Sequence, residues 1–258
     1  MTTQSAQLPL LLMGPMVRRA EQSGICIQFA TSRPGNCQIT LENQQSYSEQ
    51  QSIALGKYLY LHFIIIKPVD SQFPLDTLLA YTLHINEQKI DLTPWCFEGQ
   101  TAPSFAIANK LTHILHGSCR NAHHPAKDSL VSASEWQNTQ RSNKLQGAQL
   151  LLLSGDQVYA DDVAGPMLLA IHQLIDALGI YKEQPLELNL PADINEQLFN
   201  RHHYLPKTPW QKRSKLGVGY WLKKDEPHFS SVKAHNHLIH FEEFIALYLL
   251  NFSAAAWQ

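Results

Sequence analysis

The sequence predicts an α+β chain of two domains: an N-terminal antiparallel β-sandwich over residues 1–103 and an incomplete α/β domain over 104–258. Three observations predict it. Residues 8–107 break into short apolar or alternating runs separated by turn residues, the pattern of antiparallel sheets. Two apolar runs, Leu111–Leu115 and Leu150–Leu153, flank a stretch long enough for one helix, which reads as strand–helix–strand with parallel strands. Past residue 163 the apolar spacing turns helical and no further good parallel strand follows, so the second sheet lacks strands and the chain reads as stopping inside a domain.

The elements follow in order. Leu10–Met13 is a short apolar run. Gly24–Thr31 alternates, with Ile25, Ile27 and Phe29 on one side, and Cys37–Leu41 follows the Gly35-Asn36 turn. Tyr58–Ile66 is rich in β-branched and aromatic residues and is stopped by Pro68. Thr77–Ile85 alternates, Asn86-Glu87-Gln88 reads as a turn, and Lys89–Leu92 as the return strand. Thr101–Ser104, with Pro103, is the expected linker. Val163–Leu178 carries Met167, Leu168, Ile171, Leu174, Ile175 and Leu178 at helical intervals, with Gly179 as its stop. His237–Leu250 is the second amphipathic helix. Residues 183–233 read as loops and short helices, with Lys207, Lys212, Arg213 and Lys215 on a solvated face.

Bulk properties narrow the function. A length of 258 residues with 44% hydrophobic and 16% charged residues can bury a sizeable core. A formal net charge of −2 supplies no basic field for a nucleic-acid partner. The four cysteines, Cys26, Cys37, Cys96 and Cys119, form no CxxC pair and read as reduced thiols. Met1–Gln7 lacks the basic start of a signal peptide, and the apolar run Leu61–Val69 is too short to span a bilayer. The expectation is a cytoplasmic protein without a membrane partner.

The chemistry concentrates in residues 111–162. Each apolar run there ends in a small-residue turn, the first delivering Cys119 and the second Asp156 and then Tyr159. In parallel sheets the polar site lies beyond the carboxyl ends of the strands. A thiolate and a phenolate together favour a strongly Lewis-acidic ion such as Fe³⁺, and a carboxylate can bridge two cations. A two-metal arrangement stabilises both the attacking and the leaving oxygen of a displacement at phosphorus. Asp161 and Asp162 add acidic density at the same edge.

The segments HGSCRN (116–121) and LLLLSGDQVYADDVAGPML (150–168) resemble the PhoD-like, or alkaline phosphatase D-like, metallophosphatases. The GDxxY element, Gly155 to Tyr159, is shared with purple acid phosphatases, and Ser118-Cys119 is similar to the SC turn of the PhoD-like branch. Ala234–Trp257 is similar to that family's helix after its long insertion, and the region from GPMVRR onward to its N-terminal sandwich. The resemblance implies that this is the N-terminal portion of such a protein, with an incomplete metallophosphatase-like domain over 104–258. It implies iron held by Cys119 and Tyr159, with Asp156 bridging Fe³⁺ to Ca²⁺ or another divalent ion. The substrate class would be a small phosphate monoester or diester. Asp156 would be catalytic as well as a ligand, and Arg120 and Asn121 lie close enough in sequence to contact phosphate. The family's WDDH-type motif and its later His-bearing motif do not occur here, so these residues form one side of a dinuclear site.

Two rival readings stand beside this one. The chain is a non-catalytic remnant, its sandwich acting as an interaction module. Alternatively, Cys119 is the nucleophile of a hydrolase, with His116 or His123 as its base.

Overall fold

In the computed structural model the described residues are 8–69, 72–121, 125–140, 147–183, 188–205 and 234–257. They form an α+β structure with open sheets and four α-helices. The chain divides into two compact units, residues 1–157 with 253–256, and residues 158–252 with Trp257. Pro103, in the expected linker Thr101–Ser104, lies inside the first unit, where its carbonyl accepts from the Tyr81 N–H.

The described residues of the first unit form ten strands. β1 (Leu11–Glu21), β2 (Gly24–Thr31), β4 (Ser46–Gly56) and β5 (Leu59–Pro68) form one antiparallel sheet in the order β1-β2-β5-β4. β3 (Cys37–Leu41), β6 (Leu78–Ile85) and β7 (Gln88–Lys89) form a second, and β8 (Ser104–Ala106) pairs with the first half of β6. The alternating faces meet in one buried cluster. Ile25, Ile27, Phe29, Ile64 and Ile66 come from the first sheet, and Cys37, Ile39, Leu41, Leu79, Tyr81, Leu83 and Ile85 from the second. The buried His62 is satisfied within the core: Thr31 Oγ1 lies 2.8 Å from its Nε2 and Ser52 Oγ 2.8 Å from its Nδ1.

Three differences from the sequence reading have local causes. β4 falls in a stretch to which the sequence reading assigns no strand, its residues being mostly exposed or half-buried; it is an edge strand, ordered by its ladder with β5 rather than by an apolar face. β1 runs on past Met13 through Gly14-Pro15, and its ladder shifts register between Leu11, Met13 and Met16. Gly14 has φ +80°, and a Cβ there would stand 2.8 Å from the Gln28 carbonyl oxygen, so the close passage of β1 over β2 requires glycine. The return strand β7 is only two residues long. The two-residue loop before it, Asn86-Glu87, takes φ 49° and 67°, as a tight hairpin of that hand demands.

The first unit ends in a parallel pair. β9 (Ile114–Gly117) and β10 (Leu150–Leu153) run in register, Leu150 opposite Ile114 and Leu153 opposite Gly117. α1 (Ser129–Thr139) lies between them in sequence, and the Asp128 carboxylate caps it by accepting from the Leu130 N–H. The strand–helix–strand reading of this stretch therefore agrees with the pairing observed.

The second unit is helical. α2 (Gly165–Leu178) buries Leu168, Ile171, Ile175 and Leu178, starts with Pro166 in its first turn, and ends at Gly179 with φ 56°. α3 (Ile194–Gln197) is a single turn. α4 (Phe241–Phe252) packs against α2 and buries Ala246, Leu247, Leu249 and Leu250. α4 begins later than its apolar spacing suggests. The Leu238 N–H donates to the Ala160 carbonyl, and the Ile239 and His240 N–H groups donate to Glu243 Oε2, so these residues form a cap and not a turn of helix. Among the described residues no helix is long and apolar enough to cross a membrane.

Candidate functional site

The turns after β9 and β10 are stitched together by backbone bonds. Ser154 N–H donates to the Gly117 carbonyl (3.0 Å), Cys119 N–H to Gly155 (3.1 Å) and Arg120 N–H to Asp156 (2.8 Å). Cys119 and Asp156 both sit in the left-handed region, with φ 57° and 49°. That conformation is unfavourable for side-chain-bearing residues and is found where surrounding bonds over-determine it. It brings the two side chains to one point, with Cys119 Sγ 3.5 Å from Asp156 Oδ2 and both residues exposed. Beside them His116 Nε2 lies 2.8 Å from Ser154 Oγ.

The other residues singled out from the sequence fall around this point or apart from it. The Arg120 guanidinium pairs with Asp128, at 2.6 Å from Nη2 and 3.0 Å from Nε. The hydrogen bond from Arg120 holds the Asp128 carboxyl below its ordinary range. Arg120 therefore braces the start of α1. The Asn121 N–H donates to the Cys119 carbonyl, closing the turn. Tyr159, Asp161 and Asp162 are half-buried residues of the second unit. His123, His124, Lys207, Lys212, Arg213 and Lys215 lie outside the described residues.

The four cysteines are free thiols. Burial pushes the Cys37 thiol up to about 11, so it is chemically quiet at neutral pH. Cys119 is the exposed one. A shallow cleft bounded by Tyr81, Lys89, Asp91 and Pro103 lies elsewhere in the first unit and includes neither Cys119 nor Asp156.

The second unit contains two polar clusters that the sequence reading did not single out. In one, Arg201 and Glu243, each fully buried, form a two-pronged ion pair with N–O distances of 2.6 and 2.9 Å. His172 Nε2 lies 2.7 Å from Glu243 Oε1. Burial works against ionisation of Glu243, but the hydrogen bonds from His172 and Arg201, the Arg201 charge and the Ile239 N–H outweigh it. The carboxyl is held far below its ordinary range. In the other, Glu183, His240 and Glu242 bring one potential ligand atom each to within 4.8 Å of one another. Neither cluster has a sequence signature, because each is assembled from residues distant in the chain.

Comparison with family models, with curated proteins and with solved structures finds no match to this chain.

Proposed function

We propose that the chain is a metal-dependent phosphoesterase of the PhoD-like class, built as a β-sandwich followed by an α/β metallophosphatase-like region. The observation that carries this reading is the meeting of Cys119 and Asp156 at the carboxyl ends of a parallel strand pair. The donor set fits a metal ion. Thiolate and carboxylate ligands at about 2.3 and 2.1 Å, held at a tetrahedral angle, lie about 3.6 Å apart; the Cys119 thiol donates to Asp156 Oδ2 at 3.5 Å, close to that separation. Within the first unit Cys119 would hold Fe³⁺, and Asp156 would bridge to Ca²⁺ or a similar divalent ion. A bound metal pair supplies a nucleophilic water at neutral pH and a clamp for the phosphoryl oxygens.

The chain's own residues then do three things. The strained turns keep the thiol and the carboxylate preorganised before any ligand arrives. The exposure of both residues leaves their surroundings open to a small phosphoester. Arg120 helps to fix the Cys119 turn through Asp128, and it contacts phosphate only if that pair exchanges.

The metal content of the full chain, grown with iron and calcium and measured by mass spectrometry, tests this. The expected result is about one iron per chain, lost in Cys119→Ala and Asp156→Asn, with hydrolysis of an activated phosphodiester lost in parallel. Iron that persists in both variants overturns the reading. Hydrolysis that survives a chelator but not iodoacetamide replaces it with the Cys119 nucleophile. A second reading, a non-catalytic interaction module, is favoured by one observation. Parallel strands are ordinarily covered on both faces, yet Ile114, Leu150, Leu151 and Leu152 are 40–52% exposed. A chain that binds no stoichiometric metal, hydrolyses no phosphodiester and self-associates through these leucines fits that module.

A further inference from the structure

We infer that Glu183, His240 and Glu242 form a binding site for one divalent first-row metal cation in the second unit. The site is independent of the Cys119–Asp156 pair and of the phosphoesterase reading. It is assembled from the segment after α2, which supplies Glu183, and the start of α4, which supplies His240 and Glu242.

Charge is the first argument. Glu242 is only 6% exposed, and a carboxylate so buried is ordinarily paired with a cation. Among the described residues neither Glu242 nor Glu183 has a salt-bridge partner; Arg201 is committed to Glu243, and Lys182 to Asp176. The two carboxylates do receive backbone bonds. Phe241 N–H donates to Glu183 Oε2 and Glu183 N–H to Glu242 Oε2, both at 3.2 Å. The start of α4 contributes about half a positive charge. Glu183 is hydrated, so the charge left without a protein counter-charge is that of the buried Glu242, which a cation shared between the two carboxylates offsets.

The imidazole is the second argument, and it is separate. His240 Nδ1 is sealed from solvent and has no hydrogen-bond partner among the described residues. A buried ring nitrogen left unsatisfied is costly, whereas an imidazole is a common metal ligand. Geometry is the third. Ligands around an ion with bonds of about 2.0–2.2 Å lie about 3 to 4.4 Å apart. One ring nitrogen of His240 and one oxygen of each carboxylate already lie within 4.8 Å of one another. Glu183 is exposed and held by one 3.2 Å bond from the Phe241 N–H, so a small shift of its carboxylate closes the remaining gap and an ion reaches the site from solvent.

Two carboxylates and one imidazole suit Mn²⁺ or Zn²⁺ rather than a thiophilic ion. Mn²⁺ is the better probe. The surface rings of His202 and His235, with their Nδ1 atoms 3.1 Å apart, are a donor pair that prefers zinc.

The test is titration of the full, metal-stripped chain with Mn²⁺, following the loss of the free-ion signal by electron paramagnetic resonance. The expected result is one Mn²⁺ whose affinity falls by about a factor of ten or more in His240→Ala, in Glu242→Gln and in Glu183→Gln. That ion is retained in Cys119→Ala and Asp156→Asn. Glu183→Gln is an isosteric change at an exposed residue, so its circular dichroism should match the parent even if Glu242→Gln unfolds. Three results overturn the inference: no Mn²⁺ bound at millimolar concentration, binding unchanged in His240→Ala and Glu183→Gln, or binding lost only in the Cys119 and Asp156 variants. The last assigns the ion to the other site and leaves the phosphoesterase reading intact. Loss in the second-unit variants alone supports this site whether or not the chain hydrolyses phosphoesters.

Discussion

Replacing Arg201 with methionine removes the cation from the most buried ion pair of the second unit while keeping much of its volume. Arg201 and Glu243 are both 0% exposed at the side chain, so the substitution leaves a buried carboxylate without its cation. Removing one member of a buried pair costs about 3–5 kcal/mol. Glu243 keeps three other groups, His172 and the N–H groups of Ile239 and His240, which pulls the figure toward the lower end. Arg201 also donates to the His237 carbonyl (3.0 Å) and to Gln197 Oε1 (2.8 and 3.2 Å), and the loss of those bonds adds about 1 kcal/mol each. The sum is about 6 kcal/mol. Urea denaturation at pH 7, followed by circular dichroism, measures it as a shift in midpoint at constant slope. The pH dependence supplies an internal check. The folded Glu243 carboxyl titrates below its ordinary value of 4.5, so the folded state binds fewer protons there than the unfolded state. Its contribution is complete above about pH 4.5 and is lost as the pH falls further, and Glu243→Gln flattens that acid limb. A loss below about 1 kcal/mol in Arg201→Met, or an acid limb identical in Glu243→Gln and the parent, refutes the reasoning.

Two further outcomes follow from the first unit. Gly14→Ala, which forces a side chain into the left-handed region and against the Gln28 carbonyl, is expected to destabilise by about 2 kcal/mol, read as a lowered melting temperature. Iodoacetamide at pH 7.5 should label Cys119 quickly and Cys37 only after unfolding, as peptide mass spectrometry reports; equal rates would contradict the burial described.

Much of the fold is legible from local pattern because local pattern causes it. The two-residue alternation in Gly24–Thr31 places Ile25, Ile27 and Phe29 in the core, and the helical spacing of Leu168, Ile171, Ile175 and Leu178 buries one stripe of α2. Gly179 stops α2 because it accepts the left-handed backbone that ends a helix. β4 is illegible for the converse reason. Its stability comes from hydrogen bonds to β5, a property of the partner strand that its own mostly exposed side chains do not encode. The start of α4 was misplaced because the apolar residue Leu238 continues the helical spacing, while the backbone N–H groups beside it are taken up by Ala160 and Glu243.

The candidate sites divide along the same line. Residue types, order and spacing alone singled out Cys119 and Asp156, since each follows an apolar strand in a small-residue turn. That their side chains lie 3.5 Å apart was decided by the parallel register of β9 and β10, which sets the two turns side by side. Glu183, His240 and Glu242 are ordinary surface-type residues in the sequence, as are His172 and Arg201. Only the packing of α2 against α4, with the capped entrance to α4, joins them into groups. Periodicity along a chain determines which face of each element is apolar. The meeting of polar atoms from distant segments depends on tertiary contacts that no local pattern records.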